Sequence, residues 1–301
     1  MKKQPKFIAV TLQKGGIGKS TVALNLAAIL SMKKRSKYSD YYNRVLIIDG
    51  DDNSTTSKHL GVYKESNKNL YDILVGNCTF DEAIYHYSFN YGPPYKKPFL
   101  IDIIPSFSGI SELDVKNHFL DEPELLLRKA IMESDRIMDY DYVICDCPQE
   151  GVTALSNFYN ICNKYLIVIK PDKQSTECIG TTLQNIGLLT TIQKENFYVG
   201  VLINNYQKTE IANNIVKKMQ DSKYLYCFHT ILPYSKDCPD TFEKNLTIPD
   251  YRKKTRKCKR LNVAFKKFTD EFLARLNEME WIKWQIEKGY PRSVMLTIKN
   301  S

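Results

Sequence analysis

Residues 14–21 read Lys-Gly-Gly-Ile-Gly-Lys-Ser-Thr, a set of side chains whose types and order suit one task, holding a polyphosphate. Gly15, Gly16 and Gly18 carry no Cβ, so the backbone can approach phosphate oxygens and turn its amides, that of Ile17 included, toward the anion. Lys19 then extends to the β- and γ-phosphates, Ser20 offers its hydroxyl to magnesium, and Thr21 is placed to bond the α-phosphate. An apolar, β-branched run precedes the loop and a helical pattern follows it, which is the context such a loop requires.

Acidic residues stand where they could serve that loop. Asp49 and Asp51 follow one apolar run at 45–48, and Asp146 follows another at 142–145. In an open α/β sheet ligands bind beyond the carboxyl ends of the strands, so all three carboxylates are delivered to the ligand side. Asp146 is expected to hold magnesium through water. The eight cysteines include no CxxC pair and are irregularly spaced, so they read as reduced, packed thiols; Cys145 and Cys147, two apart on a strand, at least share a face.

These side chains need a frame. Apolar runs at 7–12, 45–48, 100–104, 142–145, 165–169, 198–203 and 227–232 read as buried strands. Helical patterns at 19–32, 122–138, 153–162, 174–193 and 210–220 lie between them. The alternation predicts an α/β fold, a mostly parallel twisted sheet with helices on both faces in three layers. Residues 33–44 and 87–97 read as surface loops. Residues 1–301 are read as a single domain, with 251–288 a basic segment and an amphipathic helix packed on it. In that helix Leu261, Phe265, Phe268, Phe272 and Leu276 form one apolar stripe.

The loop departs from the strict phosphate-loop pattern, with Gln13 where a glycine is usual and Lys14 opening a KGGxGK[ST] run. In this it resembles the deviant Walker A motif of the ParA and MinD superfamily of P-loop ATPases. The resemblance to ParA-type partition ATPases extends through the run that ends in Asp-Gly-Asp-Asp-Asn-Ser-Thr and the run that ends in Asp-Cys-Pro-Gln. It implies ATP and Mg2+ as cofactors, and an ATP-dependent homodimer in which Lys14 reaches phosphates across the interface. It further implies that Asp51 orients or activates the attacking water, that Asp49 supports hydrated magnesium, that Asn204 hydrogen-bonds adenine, and that Pro233 packs on the base. Asp52, Asn53 and Ser54 replace the Pro, Gln and Gly usual in the family's switch, and Gln149 stands where a second proline is usual.

Hydrophobic residues at 43% and charged residues at 26% fit a globular chain rather than a disordered one. The opening apolar run is too short for a signal peptide and no stretch is long enough to span a bilayer, so a cytoplasmic location is expected, and the resemblance implies that it is nucleoid-associated. The charge of +9 is concentrated: nine of the 43 basic residues lie between Tyr251 and Lys267 with no acid among them, and the remaining 34 balance the 34 acidic residues. Such a cluster attracts polyphosphate. Arg252, Lys253, Lys254, Arg256, Lys257, Lys259 and Arg260 are the candidate contacts to non-specific DNA. With the resemblance, this implies a DNA-segregation ATPase whose hydrolysis is stimulated by a ParB-like centromere-binding partner. Trp281 and Trp284 near the end keep open a MinD-like, membrane-associated positioning ATPase. An iron-sulfur assembly or electron-transfer ATPase is the third alternative, for which the cysteine spacing gives no support.

Overall fold

The computed structural model describes residues 4–36, 38–91, 95, 97–107, 109–110, 113–116, 121–189, 197–236, 238–251 and 256–287. Seven strands form one sheet: β1 (Lys6–Thr11), β2 (Val45–Asp49), β3 (Tyr85–Phe89), β4 (Phe99–Ile104), β5 (Tyr142–Asp146), β6 (Lys164–Ile169) and β7 (Phe197–Ile203). Their order is β3-β4-β2-β5-β1-β6-β7, with every neighbouring pair parallel except β3 against β4. The helices are α1 (Lys19–Ser31), α2 (Thr55–His59), α3 (Leu70–Leu74), α4 (Leu113–Lys116), α5 (Leu126–Met132) and α6 (Val152–Ile161). They continue with α7 (Lys173–Leu189), α8 (Glu210–Gln220), α9 (Cys238–Glu243), α10 (Ile248–Tyr251) and α11 (Arg256–Glu287).

Successive strand side chains alternate between the sheet's faces, and the two cores follow that period. Ile8, Val10, Ile47 and Ile144 join α1 and the Phe265, Phe268 and Phe272 stripe of α11 on one face. Ala9, Leu46, Ile48, Val143 and Cys145 meet Leu155, Phe158 and Tyr159 of α6 on the other. The predicted α/β layering is therefore the architecture. Five of the eight cysteines are buried and all eight are free thiols.

The structure corrects several expectations. Residues 227–232 do not form a strand: Val201 and Cys227, and Tyr206 and Pro233, make isolated parallel bridges. Between them the amides of His229 and Thr230 leave the ladder and donate to the Glu271 carboxylate at 2.7 and 2.9 Å. Residues 87–97 are not wholly a surface loop, since 87–89 belong to the antiparallel edge strand β3 and Phe89 and Tyr91 are buried. The helix expected at 122–138 is only α5, because the Ser134 hydroxyl takes the amides of Arg136 and Ile137 and competes with the helical ladder. The C-terminal helix is described from Arg256 onward, so the basic residues from Arg256 to Arg260 share it with the apolar stripe that starts at Leu261.

Candidate active site

β1 delivers the chain into the loop, and Gly18 caps α1 at φ 91°, ψ 29°, a left-handed conformation that costs glycine nothing. Val22 N then donates to Gly18 O at 2.9 Å, closing the first helical turn behind the loop. Lys19 opens α1 only 6% exposed, its Nζ folded back over the loop onto the Lys14 carbonyl at 3.0 Å. Burial pulls the Lys19 pKa down, while Asp146, Cys147 and Asp51 push it back up. A desolvated ammonium inside a turn of glycines is primed to take phosphate oxygens. Ser20 and Thr21 line a cavity of about 300 Å³ together with Thr55 and Thr56 of α2.

The sheet register sets the acids. β2 pairs Asp49 with Asp146, and β1 pairs Val10 with Asp146, so both carboxylates emerge beside the loop. Asp146 is fully buried; its Oδ2 accepts from Thr56 Oγ1 at 2.9 Å, and its Oδ1 has no hydrogen-bond partner among the described residues. Asp49 Oδ2 accepts from Ser57 N at 2.8 Å and Ser57 Oγ at 2.6 Å, and its Oδ1 from Asp51 N at 3.1 Å. Burial drives both carboxyls above the ordinary range; the Asp146 charge adds to the rise at Asp49, while Ser20, Lys19 and Thr56 oppose it at Asp146. An orphaned carboxylate oxygen in a dry site next to a phosphate loop is what a divalent cation satisfies. Asp146 and Ser20 thus fit magnesium directly or through water, and Asp49, with both oxygens engaged, stands behind them.

Asp51 is 7% exposed and held by Asn53, one of the residues that depart from the family's switch, and by Thr55. Its Oδ1 accepts from Asn53 N and Nδ2, each at 3.2 Å, and its Oδ2 from Thr55 Oγ1 at 2.7 Å. Ser54, in the position usually glycine, sits at φ 52° and caps α2. Lys14 is engaged within its own subunit: Nζ lies 2.8 Å from Asp172 Oδ1 and 3.1 Å from Ser175 Oγ. Burial works against ionisation of Asp172, but the bonds from Lys14 and Ser175 outweigh it and hold its pKa below the usual value.

Asn204, expected at the base, turns its Nδ2 onto the Ile17 carbonyl at 2.8 Å and so braces the phosphate loop. Pro233 lies half-buried beside Tyr206 just beyond β7. Sequence reasoning missed Asp172, Ser175, Thr56 and Ser57. The available signal was position, since each follows the carboxyl end of a parallel strand by three to eight residues.

Of the basic cluster, Arg256, Lys259 and Arg260 are exposed along the first turns of α11. Arg252, Lys253 and Lys254 lie outside the described residues, as do the side chains of Lys257, Trp281 and Trp284. Lys266, farther along the same helix, lays its ammonium over the Tyr91 ring, 4.7 Å from the centroid.

A glycine-rich loop between a strand and a helix, with acids at the ends of neighbouring parallel strands, defines a P-loop nucleoside triphosphatase. A family model described as an AAA domain matches residues 5–199, and the chain belongs to that family. The chromosome partitioning protein ParA of Myxococcus xanthus is 23% identical over 255 residues, covering 83% of each chain. Among solved structures, the ATP complex of a variant of Cyanothece McdA superposes with a TM-score of 0.71 at 17% identity, covering 90% of this chain and 97% of that one. Cobyrinic acid a,c-diamide synthase from Mycobacterium smegmatis with bound ADP and magnesium gives 0.69 at 18%, over 91% and 96%. The chain is a P-loop ATPase of the ParA type.

Proposed function

We propose that this ATPase segregates DNA: ATP joins two subunits face to face, the dimer holds DNA without reading sequence, and a ParB-like partner stimulates hydrolysis and release. The observation that carries the reading is electrostatic. Arg256, Lys257, Lys259 and Arg260 stand in the first turns of α11 with no acidic residue there. Cations at the positive end of a helix dipole are locally unfavourable, by ~0.3–1 kcal/mol each, so the arrangement favours an anion from outside. The partition relative in Myxococcus xanthus supports DNA as that anion. Among the described residues no helix is long and apolar enough to cross a membrane.

In the reaction, water attacks the γ-phosphorus, the bond to the bridging oxygen breaks, and ADP and phosphate leave. Magnesium, when bound, neutralises charge on the phosphate oxygens. Lys19 and the loop amides hold the transferring group, Asp146 and Ser20 fix the cation, and Asp51 orients the water or takes its proton. Lys14 leaves Asp172 to reach the opposite subunit's phosphates. Asp49 holds the end of β2 and the start of the switch in register through Ser57 and the Asp51 amide. Catalysis is then mostly positioning.

The test is a gel shift with random duplex DNA, with and without ATP and magnesium. ATP-dependent binding that weakens steeply with salt is expected. Replacing Arg256, Lys259 and Arg260 together by Glu should flatten the log–log salt slope by about three, at roughly 0.9 per phosphate contact. Binding to anionic liposomes but not to DNA would turn the assignment toward a membrane-associated device.

A further inference from the structure

Gln149 is the third residue after Asp146, in the turn between β5 and α6, and is half-buried. A Cβ built on Gly15 would lie 2.6 Å from Gln149 Oε1, 3.5 Å from Cδ and 3.9 Å from Nε2, so the carboxamide rests directly against this glycine. Gly15 marks one end of the loop. Lys19 Nζ reaches the carbonyl of its neighbour Lys14 at 3.0 Å, and because Lys19 serves the β- and γ-phosphates, the terminal phosphate belongs at that end. The other end is braced by Asn204 on Ile17. Two amide side chains therefore flank the loop, and Gln149 is the one at the γ-phosphate end.

We propose that Gln149 is a specificity residue by which the site distinguishes ATP from ADP, donating its Nε2 hydrogen to a γ-phosphoryl oxygen. The inference rests on the ATP assignment above. A carboxamide can turn about its last torsion to present N–H to an anion without adding negative charge. A proline, usual here in the resembling family, has no such donor, so this contact belongs to this chain.

The test measures binding of AMPPNP and of ADP, each with magnesium, by calorimetry at protein concentrations where gel filtration gives monomer. Gln149→Ala should weaken AMPPNP about tenfold or more and leave ADP within about twofold, the loss of one hydrogen bond to a charged group. The intact ADP affinity also reports a folded site. Gln149→Met supplies an independent arm. It keeps a side chain of similar length against Gly15 but has no N–H to donate. It should reproduce the loss of AMPPNP affinity with ADP affinity intact. An unchanged AMPPNP-to-ADP ratio in Gln149→Ala or in Gln149→Met overturns the proposal alone. Wild-type protein that binds neither nucleotide overturns the ATP assignment and this inference together.

Discussion

Replacing Asp172 by Asn should make the proposed ATP-dependent dimer form more readily. Lys14 cannot reach a partner's phosphates while its ammonium is bonded to Asp172 and Ser175 of its own chain. The Lys14 side chain is 19% exposed and that of Asp172 is 44% exposed, so water screens the pair and its worth is that of a surface ion pair, ~0.2–1 kcal/mol. A symmetric dimer must release two such lysines, which doubles the cost to ~0.4–2 kcal/mol, a factor of about 2–30 in the association constant. The neutral side chain keeps an oxygen to accept from Ser175 N, as Asp172 does at 2.7 Å, so the start of α7 is preserved.

Sedimentation equilibrium with AMPPNP and magnesium reads the effect directly. Asp172→Asn should dimerise about 2–30 times more tightly than wild type with unchanged ADP affinity, and the gap should narrow as salt screens the wild-type pair. Dimerisation that is unchanged or weaker in the variant would refute the idea that Asp172 restrains Lys14.

Three further outcomes are expected. Asp51→Ala should retain ATP but release phosphate at least about 100-fold more slowly, accumulating as dimer on gel filtration, since loss of a positioned base or water ligand costs about 10²–10⁴ in rate. Burial lowers the pKa of His59, which donates from Nε2 to the Leu246 carbonyl at 2.8 Å, so below the free value of 6.5 the unfolded chain takes up protons that the folded site refuses. Stability from this residue is complete above pH 6.5 and is lost as pH falls toward the lowered folded pKa; His59→Gln should flatten that part of a urea-denaturation pH profile. Ser54→Gly should stabilise the chain by about 1 kcal/mol in urea melts. It removes a left-handed φ of 52° that costs other residues ~1–2 kcal/mol, and a buried hydroxyl without a partner among the described residues, against ~0.5–1 kcal/mol of added backbone entropy.

The parallel core was legible because its strands are continuous apolar runs, buried on both faces, and the phosphate loop because its glycines and lysine occur in fixed order. The edge strand β3 was not, because Tyr85–Phe89 mixes aromatic and polar residues and only one residue of the five is buried. Register was also hidden. Nothing in the order of residues says that Asp49 and Asp146 stand opposite each other, yet that pairing makes one carboxyl raise the other. Side-chain partners across long separations, such as Lys14 with Asp172 and Asn204 with Ile17, follow only once the strand order is known.

That strand order also explains why the basic helix and the switch share one support. α2 begins just after Asp51, and its last residue, His59, is bonded to the Leu246 carbonyl. Two residues on, Ile248 N donates to Asn25 Oδ1 at 2.8 Å, tying α10 to the helix that opens at Lys19. The Ile248 carbonyl in turn lies 3.9 Å from Cys258 Sγ, in the first turn and a half of α11, beside Arg256, Lys259 and Arg260. The segment 246–251 is therefore bonded to the two helices that start beside the candidate nucleotide site, and it contacts the turn that carries the charge. An element clamped on three sides by packed, hydrogen-bonded neighbours moves as a body or not at all, so a switch that shifts α2 has a short mechanical route to the basic face.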